Sequence, residues 1–357
     1  PMRHFYFDIV FTAVALVLAA WWGFSHGGAG AVLSAVFITL ILAVMEISLS
    51  FDNAVVNASV LKHWDEFWKK IFLTVGILIA VFGMRLLFPI VIVALTADMG
   101  MMEVVDMALH NPKEYSAKLI AHHAEIAAFG GMFLLLVFLN FLFEDKDILW
   151  FEWLESRLVR LGKVNAMSVF IALIVLMISL SWVPAAEKYA VLVAGVYGVL
   201  VYLGTNVLSG LLEGDDDEAQ DTDEATGGSD TKAVTGAIAR GGIAGFLYLE
   251  ILDASFSFDG VIGAFAITDD VIIIMLGLAI GAMFVRSMTL FLVDKGTLDE
   301  FVYLEHGAHY AIGALAIIML LSMRYEIPEI VTGLIGVAFI VWAVINSIAY
   351  RKRHADA

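Results

Sequence analysis

The chain has 357 residues, of which 61% are hydrophobic and 16% charged, well beyond the roughly 45–50% apolar content of soluble domains. It reads as a polytopic membrane protein, and as helices rather than barrel strands because its apolar runs lack a period of two. The absence of cysteine excludes disulfides, thiolate metal sites and iron-sulfur chemistry, and the net charge of -17 argues against nucleic acid or an anionic lipid surface as partner.

About ten apolar runs are long enough to cross a hydrocarbon layer of about 30 Å at about 1.5 Å per residue. They are expected near residues 5–24, 31–56, 71–94, 121–143, 166–182, 189–211, 237–260, 268–293, 304–322 and 328–349. The first lacks a clear small-residue cleavage site and is expected to be retained. Counting Lys and Arg on alternate sides tests the layout. Fourteen of the twenty fall at the N-terminus and in even-numbered loops or the C-terminal tail, and four, Lys113, Lys118, Lys188 and Arg324, in odd-numbered loops. Arg85 and Arg286 lie inside spans. By the positive-inside rule both termini are expected in the cytoplasm.

Between the spans, residues 97–118 are expected to hold a short interfacial helix. The stretch 144–163, with Trp150, Phe151 and Trp153 among charges, is expected to form an amphipathic anchor. The acidic, aromatic-free loop at 213–230 reads as a disordered cytoplasmic linker between two halves, with loose gathering of divalent cations or a basic partner as the alternative.

Within the second run, Glu46 to Val56 reads EISLSFDNAVV, and Asp253 to Gly263 reads DASFSFDGVIG. Without gaps Glu46 matches Asp253, Ser48 matches Ser255, Ser50 matches Ser257, Phe51 matches Phe258 and Asp52 matches Asp259. These four acids together with Glu250 would cost on the order of 12–17 kcal/mol if left unpaired at the centre of a bilayer. Internal arginines, protons or a bound cation must compensate them.

The motif falls on the second run and again on the seventh. Five crossings separate the copies, so the two halves are expected to be inverted relative to each other. The third and eighth runs agree: GILIAVFGMR ends at Arg85 and GLAIGAMFVR at Arg286, with Gly76 and Gly277 nine positions earlier. The fourth and ninth add His122-x-x-Glu125 against His306-x-x-His309. The expected fold class is therefore all-α and polytopic, two inverted five-helix repeats with N-in and C-in termini. Residues 1–182 form the first repeat, 183–212 the start of the second, 213–236 the acidic loop and 237–357 the remainder. Inverted repeats with polar groups at their interface are the plan of secondary transporters.

On a straight helix Glu46, Ser50, Asn53 and Asn57 share one stripe, and Asp52 points about 120° away. Glu250, Asp253 and Ser257 share the corresponding stripe, with Asp259 displaced. Unwinding near SLSFDN and SFSFDG would bring each aspartate into its stripe and free carbonyls. Carboxylates, hydroxyls and an amide then make a hard oxygen cage suited to Mg²⁺, Ca²⁺ or Mn²⁺. The candidate metal residues are Glu46, Ser50, Asp52, Asn53, Glu250, Asp253, Ser257 and Asp259, with Arg85 and Arg286 as charge-pairing partners that each orient one carboxylate or act as a tethered cation. Structural ion pairs alone, or protonated acids, are the bland alternatives. His122, His123, Glu125, Glu305, His306 and His309, at the ends of two runs, are candidates for proton coupling or ion access, against a role as interfacial hydrogen-bonders. HHAEI lacks the HExxH spacing, and Gly277-x-x-x-Gly281 carries no functional weight alone.

At EISLSFDNAVV the sequence resembles the TerC-like integral membrane family, which includes Alx-type proteins and is related to LysE-type exporters, and it looks closest to a longer branch with two such motifs. The resemblance covers most of the hydrophobic chain. It implies export of a divalent metal, chiefly manganese, from the cytoplasm across the bacterial inner membrane, with Glu46, Asp52, Asn53, Asp253 and Asp259 as ion ligands. Gly260 replaces the first copy's Asn53, so the half-sites are expected to be unequal. An acid-lined path repels oxyanions, so the tellurium label of the family would be indirect.

The functional expectation is a non-enzymatic, cofactor-free secondary transporter of a divalent cation, Mn²⁺ foremost, working by alternating access with coupling to protons as an option. A homo-oligomer and stress-complex proteins are candidate partners besides the lipid bilayer. The rival is a non-transporting membrane scaffold of a stress-response complex, docking through the acidic loop, and a Ca²⁺ or Mg²⁺ carrier differs only in ligand detail.

Overall fold

The computed structural model describes residues 5–162, 166–213 and 241–355. The acidic stretch from residue 214 to 240 lies outside them, so the expectation of a disordered linker there stands outside the described residues. Among the described residues the fold is all-helical. In lipid each backbone N–H and C=O must be satisfied within its own segment, which leaves apolar runs no alternative to the helix.

In chain order the elements are α1 (Tyr6–Gly27), α2 (Ala29–Leu49), α3 (Phe51–Leu61) and α4 (Glu66–Ile71). Two π-helical segments follow, Phe72–Gly76 and Ile79–Leu87, then α5 (Phe88–Thr96), α6 (Met101–His110), α7 (Pro112–Ala121), α8 (His123–Phe143), α9 (Glu152–Leu161), α10 (Met167–Ser179) and α11 (Lys188–Glu213). The second half holds α12 (Ile243–Ile267), α13 (Val271–Asp294), the short α14 (Thr297–Glu300), α15 (Leu304–Ser322) and α16 (Glu329–Ala355). The stretch 97–118 thus carries two short helices rather than one, α6 and most of α7, split at Pro112, whose fixed φ suits the first turn of a helix.

Among the described residues eight helices are long and apolar enough to cross a membrane: α1, α2, the continuous Glu66–Leu95 run, α8, α11, α13, α15 and α16. Two of the ten expected runs fall short of that standard for opposite reasons. The α10 helix has only 13 residues, and α12 has 25 but carries Glu250, Asp253 and Asp259. The segment with the most chemistry is therefore the one that its own acids disqualify.

The most enclosed span is α8, which packs against α15 on one side and α11 on another. Phe141, near the end of α8, stacks on His309 near the start of α15 with ring centroids 4.0 Å apart. Gly130, near the other end of α8, faces Met319 late in α15. The two helices therefore run antiparallel. Around them α13 packs on α2, α3 and α1, and α12 packs on α8, α11 and the second π-helical segment. Asp270 caps α13 by accepting from Ile272 and Ile273 N–H and also accepts from Trp22 Nε1 at 2.8 Å. That single carboxylate fixes the end of α1 to the start of α13.

Candidate functional site

The break expected at SLSFDN is one residue wide. Ser50 leaves the helical region with φ -105 and ψ 14 between α2 and α3. Yet its N–H still donates to Glu46 O and its carbonyl still accepts from Ala54 N, so the backbone does not open. The second copy does not unwind at all, because α12 runs unbroken through SFSFDG. Each aspartate consequently keeps its angular offset from its stripe. Asp52 is buried beside Gly336 of α16, within 3.2 Å of where a Cβ there would stand. Neither Asp52 nor Asp259 reaches the central cavity.

The stripes themselves converge. Glu46, 1% exposed, receives Arg85 Nη2 on Oε1 at 2.5 Å and the Ser50 hydroxyl on the same oxygen at 3.2 Å. Asp253 receives Asn53 Nδ2 on Oδ1 at 2.7 Å, and its Oδ2 stands 3.9 Å from Arg85 Nη1. Glu46 and Asp253 are the aligned first acids of the two motifs, and one guanidinium lies between them. Ser257 is buried one turn beyond Asp253. Arg85 sits in the π-helical segment Ile79–Leu87, where Nη1 also donates to Ala80 O at 2.6 Å. Wider π-helical turns occur frequently at functional sites, and here the turn carries the side chain that both motifs share. Its counterpart Arg286 lies in the regular helix α13.

Next to Arg85 a cavity of about 40 Å³ opens, its polar lining made by Asn57, Arg85, Glu250, Asp253, Arg286 and Thr289. Roughly 10–15 Å³ of such volume holds one water, so the space takes about three water-sized occupants, or a cation with part of its hydration shell. Glu250 Oε2, Asp253 Oδ2, Asn53 Oδ1 and Asn57 Oδ1 are buried without a hydrogen-bond partner. Gly76 allows the approach of Glu250, whose Oε1 would stand 2.6 Å from a Cβ at that position. Two carboxylates and two amide oxygens make this set, and among the described residues no three His, Asp or Glu side chains converge as a metal cluster.

Arg286 holds none of the duplicated acids by a direct bond. It lines the cavity and faces Asp8 of α1, a residue outside the expected site set. Asp8 is 1% exposed, lies against Ser287, and makes no direct ion pair among the described residues. The cost of an acid inside a span flags it in the sequence by the same rule that flags Glu46.

The histidine groups lie at opposite ends of the α8–α15 pair. His122 Nδ1 is 2.8 Å from Glu125 Oε2, a direct pair, with His123 half-buried beside it. His306 Nε2 lies 3.0 Å from Ile148 O and 3.8 Å from Glu155 Oε2. His309 Nδ1 bonds the Glu305 backbone carbonyl at 2.9 Å rather than the Glu305 carboxylate. Glu155 is fully buried and accepts from Tyr310 Oη at 2.9 Å and from Trp150 N at 3.2 Å. Its role is to seat α9 against α15. Nearby Lys146 donates to Phe141 O and lies 3.8 Å from the Phe141 ring centroid. Burial pushes its ammonium below the ordinary lysine value, against the pull of Glu155 and Glu144.

Fold and site together define a multi-pass helical membrane protein with a cluster of ionisable side chains buried between its helices. The chain belongs to the DUF475 family, described as a protein of unknown function, which matches residues 51–354. No curated protein and no solved structure matches the chain.

Proposed function

We propose that the protein is a secondary transporter that exports a divalent cation, Mn²⁺ foremost, from the bacterial cytoplasm by alternating access between two inverted five-helix repeats. The observation that carries the reading is the set of three oxygens without a partner among the described residues, from Glu250, Asp253 and Asn57, on the wall of one small cavity beside Arg85, with Asn53 bonded to Asp253 behind it. Buried acceptors without donors are costly, and hard oxygen atoms of this kind are what Mg²⁺, Ca²⁺ and Mn²⁺ coordinate. Charge points the same way. Glu46, Glu250, Asp253 and Asp8 bring four carboxylates to this region, against two guanidiniums, so one divalent cation neutralises the group.

Packing supports ten crossings in two inverted repeats. The second run meets the eighth and ninth, and in exchange the seventh meets the third and fourth, while the fourth and ninth pack on each other. The motif's resemblance to TerC-like proteins supports the choice of manganese and the outward direction. The antiparallel α8–α15 pair has its two histidine groups at opposite ends, which on the ten-crossing reading face opposite sides of the membrane and suit ion access from either side.

The test is metal content of cells, and Mn²⁺ flux in proteoliposomes, for the wild type against Glu250→Gln and Asp253→Asn. Both substitutions are expected to abolish export while leaving insertion intact. Export that persists in both variants sinks the proposal.

A further inference from the structure

Arg286 stands between two sets of acids. On one side it lines the cavity with Glu250 and Asp253, each of which has a buried oxygen without a donor. On the other side it faces Asp8, a buried carboxylate that makes no direct ion pair among the described residues. One turn further along α1, Thr12 Oγ1 is also buried and unpartnered, and Ser287, next to Arg286, faces Asp8 as well. The guanidinium's own Nε–H is unpartnered too. A charged donor fork with buried acceptors on two sides and a bond to neither has two places to dock.

Charge decides which place it takes. Arg85 is committed to Glu46 at 2.5 Å and to the carbonyl of Ala80, whereas Arg286, of the two arginines, makes no direct ion pair among the described residues. With Arg286 among the cavity acids, a divalent ion entering there meets a like charge in a region of low dielectric. With Arg286 docked on Asp8, that pair is neutral. Glu46, Glu250 and Asp253 are then balanced by Arg85 and the incoming ion. Neutrality of both groups holds only for the second arrangement, and low dielectric makes any other charge state costly.

We propose that Asp8 is the alternative docking point of Arg286: the guanidinium leaves the cavity acids for Asp8 as a divalent cation arrives, and returns to them when the cation departs. Asp8 is thus a positioning residue that touches no cargo and acts through Arg286. The device offsets part of the cavity's negative charge on the return half of the cycle, with one tethered positive charge in place of the transported ion's two. It couples α1 to the state of the site, since Asp8 is bonded to Arg286 only when the site is loaded.

This inference rests on the divalent-cation reading, and the experiment separates the two. Mn²⁺ binding to the purified full-length protein is measured by calorimetry for the wild type, Asp8→Asn, Arg286→Gln and the double variant. Asp8→Asn is expected to weaken Mn²⁺ binding about tenfold, equivalent to about 1.4 kcal/mol, because Arg286 then has nowhere else to dock. Arg286→Gln is expected to bind at least as tightly as the wild type, and adding Asp8→Asn to it should cost nothing further. Additive losses overturn the inference, because a purely structural Asp8 would weaken binding whatever stands at 286. Should Asp8→Asn fail to fold, Arg286→Gln alone decides, and weaker binding by that variant overturns the inference. Wild-type protein that binds none of Mn²⁺, Mg²⁺ or Ca²⁺ removes the transport reading itself, and the inference with it.

Discussion

Asn53 Nδ2 donates to Asp253 Oδ1 at 2.7 Å across 200 residues of chain. The amide that follows the first motif's aspartate is therefore bonded to the first acid of the second motif. The two motifs meet directly, and the contact that joins them depends on a residue for which the second motif has only Gly260. Asymmetry between the half-sites is thus set by the cross-link itself.

Replacing Asn53 tests that cross-link. Asn53→Ala leaves Asp253 Oδ1 buried without its donor, and the expected loss of stability is about 1–3 kcal/mol, read as a lower thermal midpoint in detergent. Asn53→Asp should fall further, because two carboxylates at that separation do not both ionise without cost. A divalent cation relieves the repulsion, so the midpoint of Asn53→Asp should recover steeply on adding Mn²⁺. A midpoint indifferent to Mn²⁺ would mean that no cation reaches this pair.

Two glycines that both touch site acids should behave in opposite ways. A Cβ at Gly281 would overlap Glu46 Cβ, next to the carbonyl of Ala43. Nothing there can turn aside, since the obstacle is the root of the side chain and the neighbouring backbone. Gly281→Ala should push α13 away from α2 and destabilise the fold by about 1–3 kcal/mol, as overpacking does. A Cβ at Gly76 meets instead Glu250 Oε1, the far end of a flexible chain, at 2.6 Å. Gly76→Ala should keep its thermal midpoint and weaken Mn²⁺ binding about tenfold, about 1.4 kcal/mol, by displacing Glu250 from the cavity. Equal effects of the two on stability would contradict the placement of Glu250.

Much of this was legible in the sequence. Apolar runs located the helices because lipid allows little else. Helical spacing put Glu46, Ser50, Asn53 and Asn57 on one stripe. In the structure Ser50 bonds Glu46, Asn53 bonds Asp253, and Asn57 lines the cavity. What the sequence did not carry was Arg85 lying between both first acids, since that depends on a π-helical register whose residues, IAVFGMRLL, are ordinary helix formers. Asp52 and Asp259 were assigned to the site on motif position, but helices without real unwinding keep them off its wall. His306 and His309 matched a pattern in the sequence, but it did not carry their partners, the Ile148 carbonyl and the Phe141 ring.

The proposed inverted arrangement is open to a clean test because the chain has no cysteine, so any single one introduced reports alone. Lys113, Lys188 and Arg324 are exposed and sit in loops that the Lys and Arg bias assigns to the outside. Lys70, Arg157 and Arg351 are exposed on the opposite assignment. In intact cells or sealed right-side-out vesicles, Lys113→Cys, Lys188→Cys and Arg324→Cys should react with a membrane-impermeant maleimide. Lys70→Cys, Arg157→Cys and Arg351→Cys should react only after permeabilisation. The decisive comparison is Lys70 against Lys113, because the single span from Glu66 to Leu95 lies between them with α6. If that span crosses, the two must differ. Labelling of both from one side would mean that the π-helical segment carrying Arg85 re-enters rather than traverses the bilayer. The halves would then not be inverted copies, and alternating access between them would lose its geometric basis.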